Sequence, residues 1–207
     1  MAPTEVTQMP ASPTLRSLLQ LSTQPEPLSK SALILIDCQN TYREGVMKLE
    51  GVEPALKECA VLLQRARDCG APVIHIQHEA GAGTPYDTNA PIGQIADVVA
   101  PRTGEKVITK MYPSSFEKTD LDAELKRLGV TDLVIGGFMT HVCVNSTSRA
   151  AFNLGYRPTV VASATATRSL PNPVGNDLPA QEVHEVALAA LADIFAIVVP
   201  DSSKVPA

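Results

Sequence analysis

Residues 31–40 read Ser-Ala-Leu-Ile-Leu-Ile-Asp-Cys-Gln-Asn, and the fold is decided there. Ala32–Ile36 is a compact apolar run that stops at a carboxylate, Asp37. A short run with no polar alternation predicts a strand buried on both faces, the signature of a parallel sheet. Parallel strands need crossovers, and the downstream chain supplies them. A helix is predicted over 52–69, with Ala55, Leu56, Ala60, Leu63 and Ala66 along one side and Gly70 at its left-handed cap. Strand Val73–Gln77 follows, then a loop from Glu79 to Arg102 broken by glycines and prolines. Further on come strand Val107–Thr109, helix Asp120–Leu128 with Thr119 or Asp120 as N-cap and Gly129 as stop, and strand Leu133–Gly137. Helix Val142–Leu154, strand Thr159–Ala162, helix Ala180–Ala192 and strand Ile194–Val199 complete the pattern. Six strands alternating with helices predict an α/β fold: a doubly wound, mostly parallel sheet with right-handed crossovers.

This pattern divides the chain into a Pro/Ser/Thr-rich extension over 1–30, one domain over 31–200 and a short tail over 201–207. The 207 residues suffice for a sheet-centred core without staples. A net charge of −5 with no run of Lys and Arg gives no footprint for nucleic acid or an anionic membrane. The longest apolar runs are too short to span a bilayer, and the N-terminus lacks the charged start and apolar core of a signal peptide. Four cysteines, at 38, 59, 69 and 143, form no CxxC pair and no disulfide framework, so a reducing, cytoplasmic setting is expected.

Open parallel sheets bind ligands outside the carboxyl ends of their strands. Asp37 directly follows one predicted strand, Lys110 follows another, and Cys143 lies just past a third at a helix start. A carboxylate, an amine and a thiol thus share one rim. A thiol of ordinary pKa, about 8.5, is mostly protonated at neutral pH. A helix N-terminus and an ammonium both favour the thiolate, so Lys110 is expected to lower the Cys143 pKa. Asp37 can take the thiol proton and return it to a leaving amine. Backbone N–H groups of the Gly136–Thr140 turn, with that of Cys143, suit an oxyanion.

Each residue also has a plainer reading. A cysteine at a helix start is often a buried hydrophobe, an aspartate after a strand can cap a turn, and a lysine can be a solvated charge. Cys38, Cys59 and Cys69 read as structural. His75 and His78, three apart on a strand, face opposite ways, which is poor for chelation, so no metal site is expected. His75 is expected to pack within the sheet, His78 to reach the pocket and His184 to sit at a helix surface or edge.

Several segments together resemble the isochorismatase-like hydrolases. Ile34–Asn40 is similar to their D-x-Q-N strand motif, and Lys110–Phe116 to K-x-x-x-S-x-F. Gly137–Val144 is similar to G-x-x-T-x-x-C-V, and Ser148–Ala151 and Ala164–Arg168 to two later segments. The resemblance implies a three-layer α/β/α sandwich and no cofactor. It implies Asp37 as general base, Lys110 as electrostatic support and Cys143 as the nucleophile of a thioester. It also implies a cis peptide at Phe138–Met139 and an oxyanion held by the Met139 and Cys143 amides. A homodimer or homotetramer acting on a small molecule is implied too.

Gln39, Tyr42, His78, Tyr112 and Phe116 are expected to line the substrate pocket with the Glu79–Arg102 loop. Where metal-dependent nicotinamidases carry Asp-x-His, this chain has His78-Glu79-Ala80, so metal-free amide hydrolysis is expected. Ser163 stands where many relatives carry Asp. Vinyl-ether hydrolysis of isochorismate, with Asp37 as proton donor, is the rival chemistry, and a non-catalytic oligomeric scaffold the rival class.

Overall fold

The computed structural model of the protein describes residues 12–207, so 1–11 of the N-terminal extension lie outside the described residues. Six parallel strands form the central sheet: β1 (Ser31–Ile36), β2 (Val73–His78), β3 (Lys106–Lys110), β4 (Asp132–Phe138), β5 (Arg157–Ala166) and β8 (Ile197–Val199). A small antiparallel pair, β6 (Leu170–Pro171) and β7 (Asp177–Leu178), stands apart from it. The order across the sheet is β3-β2-β1-β4-β5-β8. The chain therefore winds outward one way from β1 and then restarts the other way at β4, which creates a switch point between those two strands.

The apolar run Ala32–Ile36 is buried at every position. Its residues divide between two cores because successive side chains face opposite ways. Leu33 and Leu35 pack with Ala55, Leu56, Cys59, Leu62 and Leu63 of helix α2 (Val52–Cys69). Ala32, Ile34 and Ile36 pack with residues of α3 (Leu121–Leu128), α4 (Asn145–Asn153) and α5 (Ala180–Ala192). The result is a three-layer α/β/α sandwich. Gly70 and Gly129 both adopt the left-handed conformation as helix caps.

Most strands extend a residue or two beyond the bounds read from the sequence, and other boundaries differ for physical reasons. Cys143 does not begin an α-helix: Thr140–Val144 form one π-helical turn, and α4 starts at Asn145. Asp120 precedes α3 without a side-chain capping bond, while the Thr119 hydroxyl accepts from Leu121 N–H at 3.3 Å. Strand β5 runs on to Ala166, since a bulge lets it leave β4 after Val160 and rejoin it at Thr165. Strand β8 begins at Ile197, because Ala196 N–H is still tied back to Leu191.

Residues before β1 fold back on the end of the chain. The four-residue helix α1 (Leu15–Leu18) sends Arg16 to the carbonyls of Ser22 and Ile194, each at 2.7 Å. Leu28 N–H donates to Pro206 O at 2.9 Å. Among the described residues, no helix is long and apolar enough to cross a membrane.

One glycine is decisive for the switch point. Gly137 has φ of 115°, and a Cβ there would lie 1.9 Å from the Ile36 carbonyl oxygen. Only a residue without a side chain lets β4 pass that close to the end of β1. Gly137→Ala is expected to destabilise the fold by about 3–5 kcal/mol, combining backbone strain with overpacking. Urea unfolding should show a lower midpoint at an unchanged slope.

Candidate active site

The strand order places four chemical groups in a row along the carboxyl rim: Lys110 at the end of β3, His78 at the end of β2, Asp37 after β1 and Cys143 after β4. Neighbouring strands are about 4.8 Å apart, so Lys110 must reach across β2 to meet the residue after β1. Its long side chain does so. Lys110 Nζ lies 2.7 Å from Asp37 Oδ2, 3.3 Å from Cys143 Sγ and 3.2 Å from His78 Nδ1. Asp37, Lys110 and Cys143 are all buried.

Backbone geometry aims these groups. Asp37 has φ of 48°, an uncommon left-handed conformation for a residue with a side chain. Its N–H still donates to Ile76 O at 2.9 Å, which pins the turn to β2. Asp37 Oδ2 carries the ion pair with Lys110. The Phe138–Met139 peptide is cis. Two further contacts hold the nucleophile turn: Thr140 Oγ1 with His184 Nδ1 at 2.9 Å, and His141 Nδ1 with the Thr167 hydroxyl. His184 is therefore a half-buried brace for the nucleophile turn. Behind the turn, Ser115 N–H donates to Thr147 Oγ1 at 3.0 Å, tying the segment after β3 to α4.

Burial dominates the electrostatics. It pushes the Asp37 carboxyl above its ordinary range, while the Lys110 ammonium pulls it back in part. Lys110 itself is disfavoured as a cation by burial, but Asp37 and Cys143 outweigh that and raise its pKa. The Cys143 thiol is pushed up to about 12, by burial first and by the Asp37 charge second, with Lys110 opposing. This corrects the expectation that the ammonium and a helix end lower the thiol. Lys110 does act in that direction, but desolvation and the neighbouring carboxylate prevail, and the resting sulfur keeps its proton. The His78 imidazole is held down at about 4, by burial and then by Lys110, so it is neutral at pH 7.

The remaining expected pocket residues have distinct places. Gln39 is wholly buried and works as a clamp: its Oε1 accepts from His78 N–H at 2.8 Å, and its Nε2 donates to the carbonyls of His78 and Gly93 at 3.0 and 2.7 Å. Tyr42 is also buried; its ring lies edge-on to Phe138, and its hydroxyl accepts from Tyr86 OH at 3.3 Å. Tyr112 is exposed and its hydroxyl accepts from Lys118, while Phe116 stacks on Tyr156 with centroids 5.7 Å apart. The sequence reading missed Tyr86, whose ring stands edge-on to His78 at 4.8 Å. It is the one aromatic residue between Glu79 and Arg102, and that was the available signal.

The other cysteines have separate surroundings. Cys38 and Cys59 are buried with sulfurs 4.0 Å apart, and Cys69 is exposed. His75 is buried in the sheet and contacts Glu105 through Nε2 at 3.1 Å.

Comparison with known proteins agrees with this architecture. The isochorismatase domain matches residues 31–201. The secreted isochorismatase effector Isc1 of Verticillium dahliae is 35% identical over 190 residues, covering 91% of this chain and 96% of that protein. Ureidoacrylate amidohydrolase RutB of Stutzerimonas stutzeri is 32% identical over 187 residues, covering 71% and 75% of the two chains. The crystal structure of an isochorismatase from Pseudomonas putida KT2440 superposes with a TM-score of 0.90 at 39% identity, over 93% of this chain and 99% of that one. From its rim of charged groups to its strand order, the chain belongs to the isochorismatase family and is a hydrolase.

Proposed function

We propose that the chain hydrolyses a C–N bond of a small amide or ureide through a thioester on Cys143, without a metal. One observation carries this reading: a single buried ammonium bridges Asp37 and Cys143 at 2.7 and 3.3 Å. As the sulfur attacks the carbonyl carbon, Asp37 takes the thiol proton, and the carbonyl oxygen gains charge facing the Met139 and Cys143 amides. Collapse breaks the C–N bond, the leaving nitrogen takes the proton from Asp37, and an acyl thioester remains. Water then attacks the thioester, giving its proton to Asp37, and the acid leaves as that proton returns to sulfur.

The raised carboxyl and thiol suit this division of labour, because the thiolate forms only as substrate is attacked and the carboxylate that takes its proton is a stronger base than usual. Throughout, Lys110 stays charged and balances whichever partner is negative. The His78 nitrogen facing the cluster is engaged by Lys110, which supports chemistry built on the ammonium. The similarity to an amidohydrolase supports the amide reading. The similarity to isochorismatases supports a second one, in which Asp37 protonates a vinyl ether and Cys143 is not needed.

A screen of small amides, ureides and isochorismate, following ammonia, acid and pyruvate release, tests the proposal. Ammonia or amine release with an acyl adduct on the Cys143 peptide is expected. Pyruvate release without an adduct would establish the second reading instead. On any amide substrate found, Asp37→Asn is expected to lower turnover by about 10²–10⁴-fold, the usual worth of a positioned acid–base group. A steady-state rate near that of the parent would remove Asp37 from the chemistry.

A further inference from the structure

The Lys110 ammonium has three N–H donors and no acceptor. Around it stand three acceptors: Asp37 Oδ2, Cys143 Sγ and His78 Nδ1. The proposed chemistry uses the first two. His78 Nδ1 faces a group that can only donate, so this nitrogen offers its lone pair and the ring proton sits on Nε2.

The sheet explains why a third acceptor is wanted. Lys110 crosses the end of β2 on its way from β3 to Asp37, and His78 is its direct register partner on β2. A lysine side chain has four rotatable bonds and no planar group to fix its head. Two contacts on the far side of β2 leave that head free to turn, and a third contact on the near side fixes it.

His78 is itself firmly placed. Gln39, two residues beyond Asp37, holds both its N–H and its carbonyl, and Tyr86 packs edge-on against the ring. The turn that presents the carboxylate therefore also locks the histidine.

We propose that His78 is a positioning residue of this site, whose Nδ1 takes the third N–H of Lys110 and holds the ammonium where it touches carboxylate and sulfur together. The consequence for Cys143 rests on the thiol reading above. Burial and the Lys110 charge, which hold the imidazole neutral, agree with this role.

Two variants separate the acceptor from the packing. His78→Phe keeps an aromatic ring against Tyr86 but has no acceptor, whereas His78→Asn can place its side-chain oxygen near the Nδ1 position. The readout is the rate at which iodoacetamide alkylates Cys143 in the full chain at pH 8.5. It is followed on the Cys143 peptide so that exposed Cys69 does not interfere. His78→Phe is expected to slow alkylation about 10–100-fold, the worth of one hydrogen bond to a charged group, with His78→Asn within threefold of the parent. If the Phe variant does not fold, His78→Gln, whose carbonyl reaches past the Nδ1 position, takes its place with the same expectation.

In ¹⁵N-labelled protein at pH 7, the His78 ring, assigned by its loss in His78→Asn, should show an unprotonated Nδ1 and a protonated Nε2. Equal rates for Phe and Asn, a parent-like rate in Phe, or a proton on Nδ1 would each overturn the proposal. Full amide turnover in Cys143→Ala would sink the thiol reading instead. The ring tautomer and the contrast between Phe and Asn would still decide the role of His78.

Discussion

Cys143→Ala is expected to lower kcat/KM on an amide substrate by about 10⁴-fold or more, and to remove every acyl adduct from the protein. That loss corresponds to about 5.5 kcal/mol of transition-state stabilisation. It is large because the thiol forms the bond that splits a difficult displacement into two easier steps. With a methyl group in its place, Asp37 and Lys110 can at best activate water. The fold should tolerate the change, since Cys143 is a small buried side chain that packs in the core beside Asp37 and Lys110. A melting temperature near that of the parent, together with lost turnover, is the expected pair of results. Pyruvate release from isochorismate at an undiminished rate would instead identify the vinyl-ether chemistry.

Lys110→Met is expected to remove activity and also to destabilise the protein by up to about 3–5 kcal/mol at neutral pH. The ammonium is the counter-ion of a fully buried carboxylate, and methionine fills similar space without charge. Its loss leaves Asp37 with burial alone, so the carboxyl pKa rises further above its unfolded value of about 3.9. The folded form then binds a proton that the unfolded form has lost, and stability falls as pH rises through the raised pKa. Chemical denaturation should therefore show the deficit largest near pH 8 and smallest near pH 4. Adding Asp37→Asn should restore part of the stability at pH 8, because an uncharged pair needs no compensation. A deficit that ignores pH would mean that Asp37 is not charged in the folded protein.

Much of the fold was legible because its signals are local. The apolar run at Ala32–Ile36, the α2 face and the cap at Gly70 each follow from a few adjacent residues. The rim position of Asp37, Lys110 and Cys143 was legible for the same reason: a side chain just past a strand lies at its carboxyl end. The start of α4 was misjudged because Val142 and Val144 read equally well as the first turn of an α-helix. The π-turn depends on how β4 arrives, with Val142 and Val144 N–H both directed to Met139 O. The bracing contact of His184 was not legible because its partner, Thr140, is 44 residues away.

Which chemical groups stand on the rim follows from short stretches of the chain, since strand ends and residue types are properties read a few residues at a time. Tertiary structure alone decided that β2 lies between β3 and β1, so that His78 stands in the path of Lys110. It also decided that the resting Cys143 keeps its proton. Strand order is set by crossovers and long-range packing, and a pKa by how much protein excludes water from a group; neither quantity is written in any short stretch of sequence.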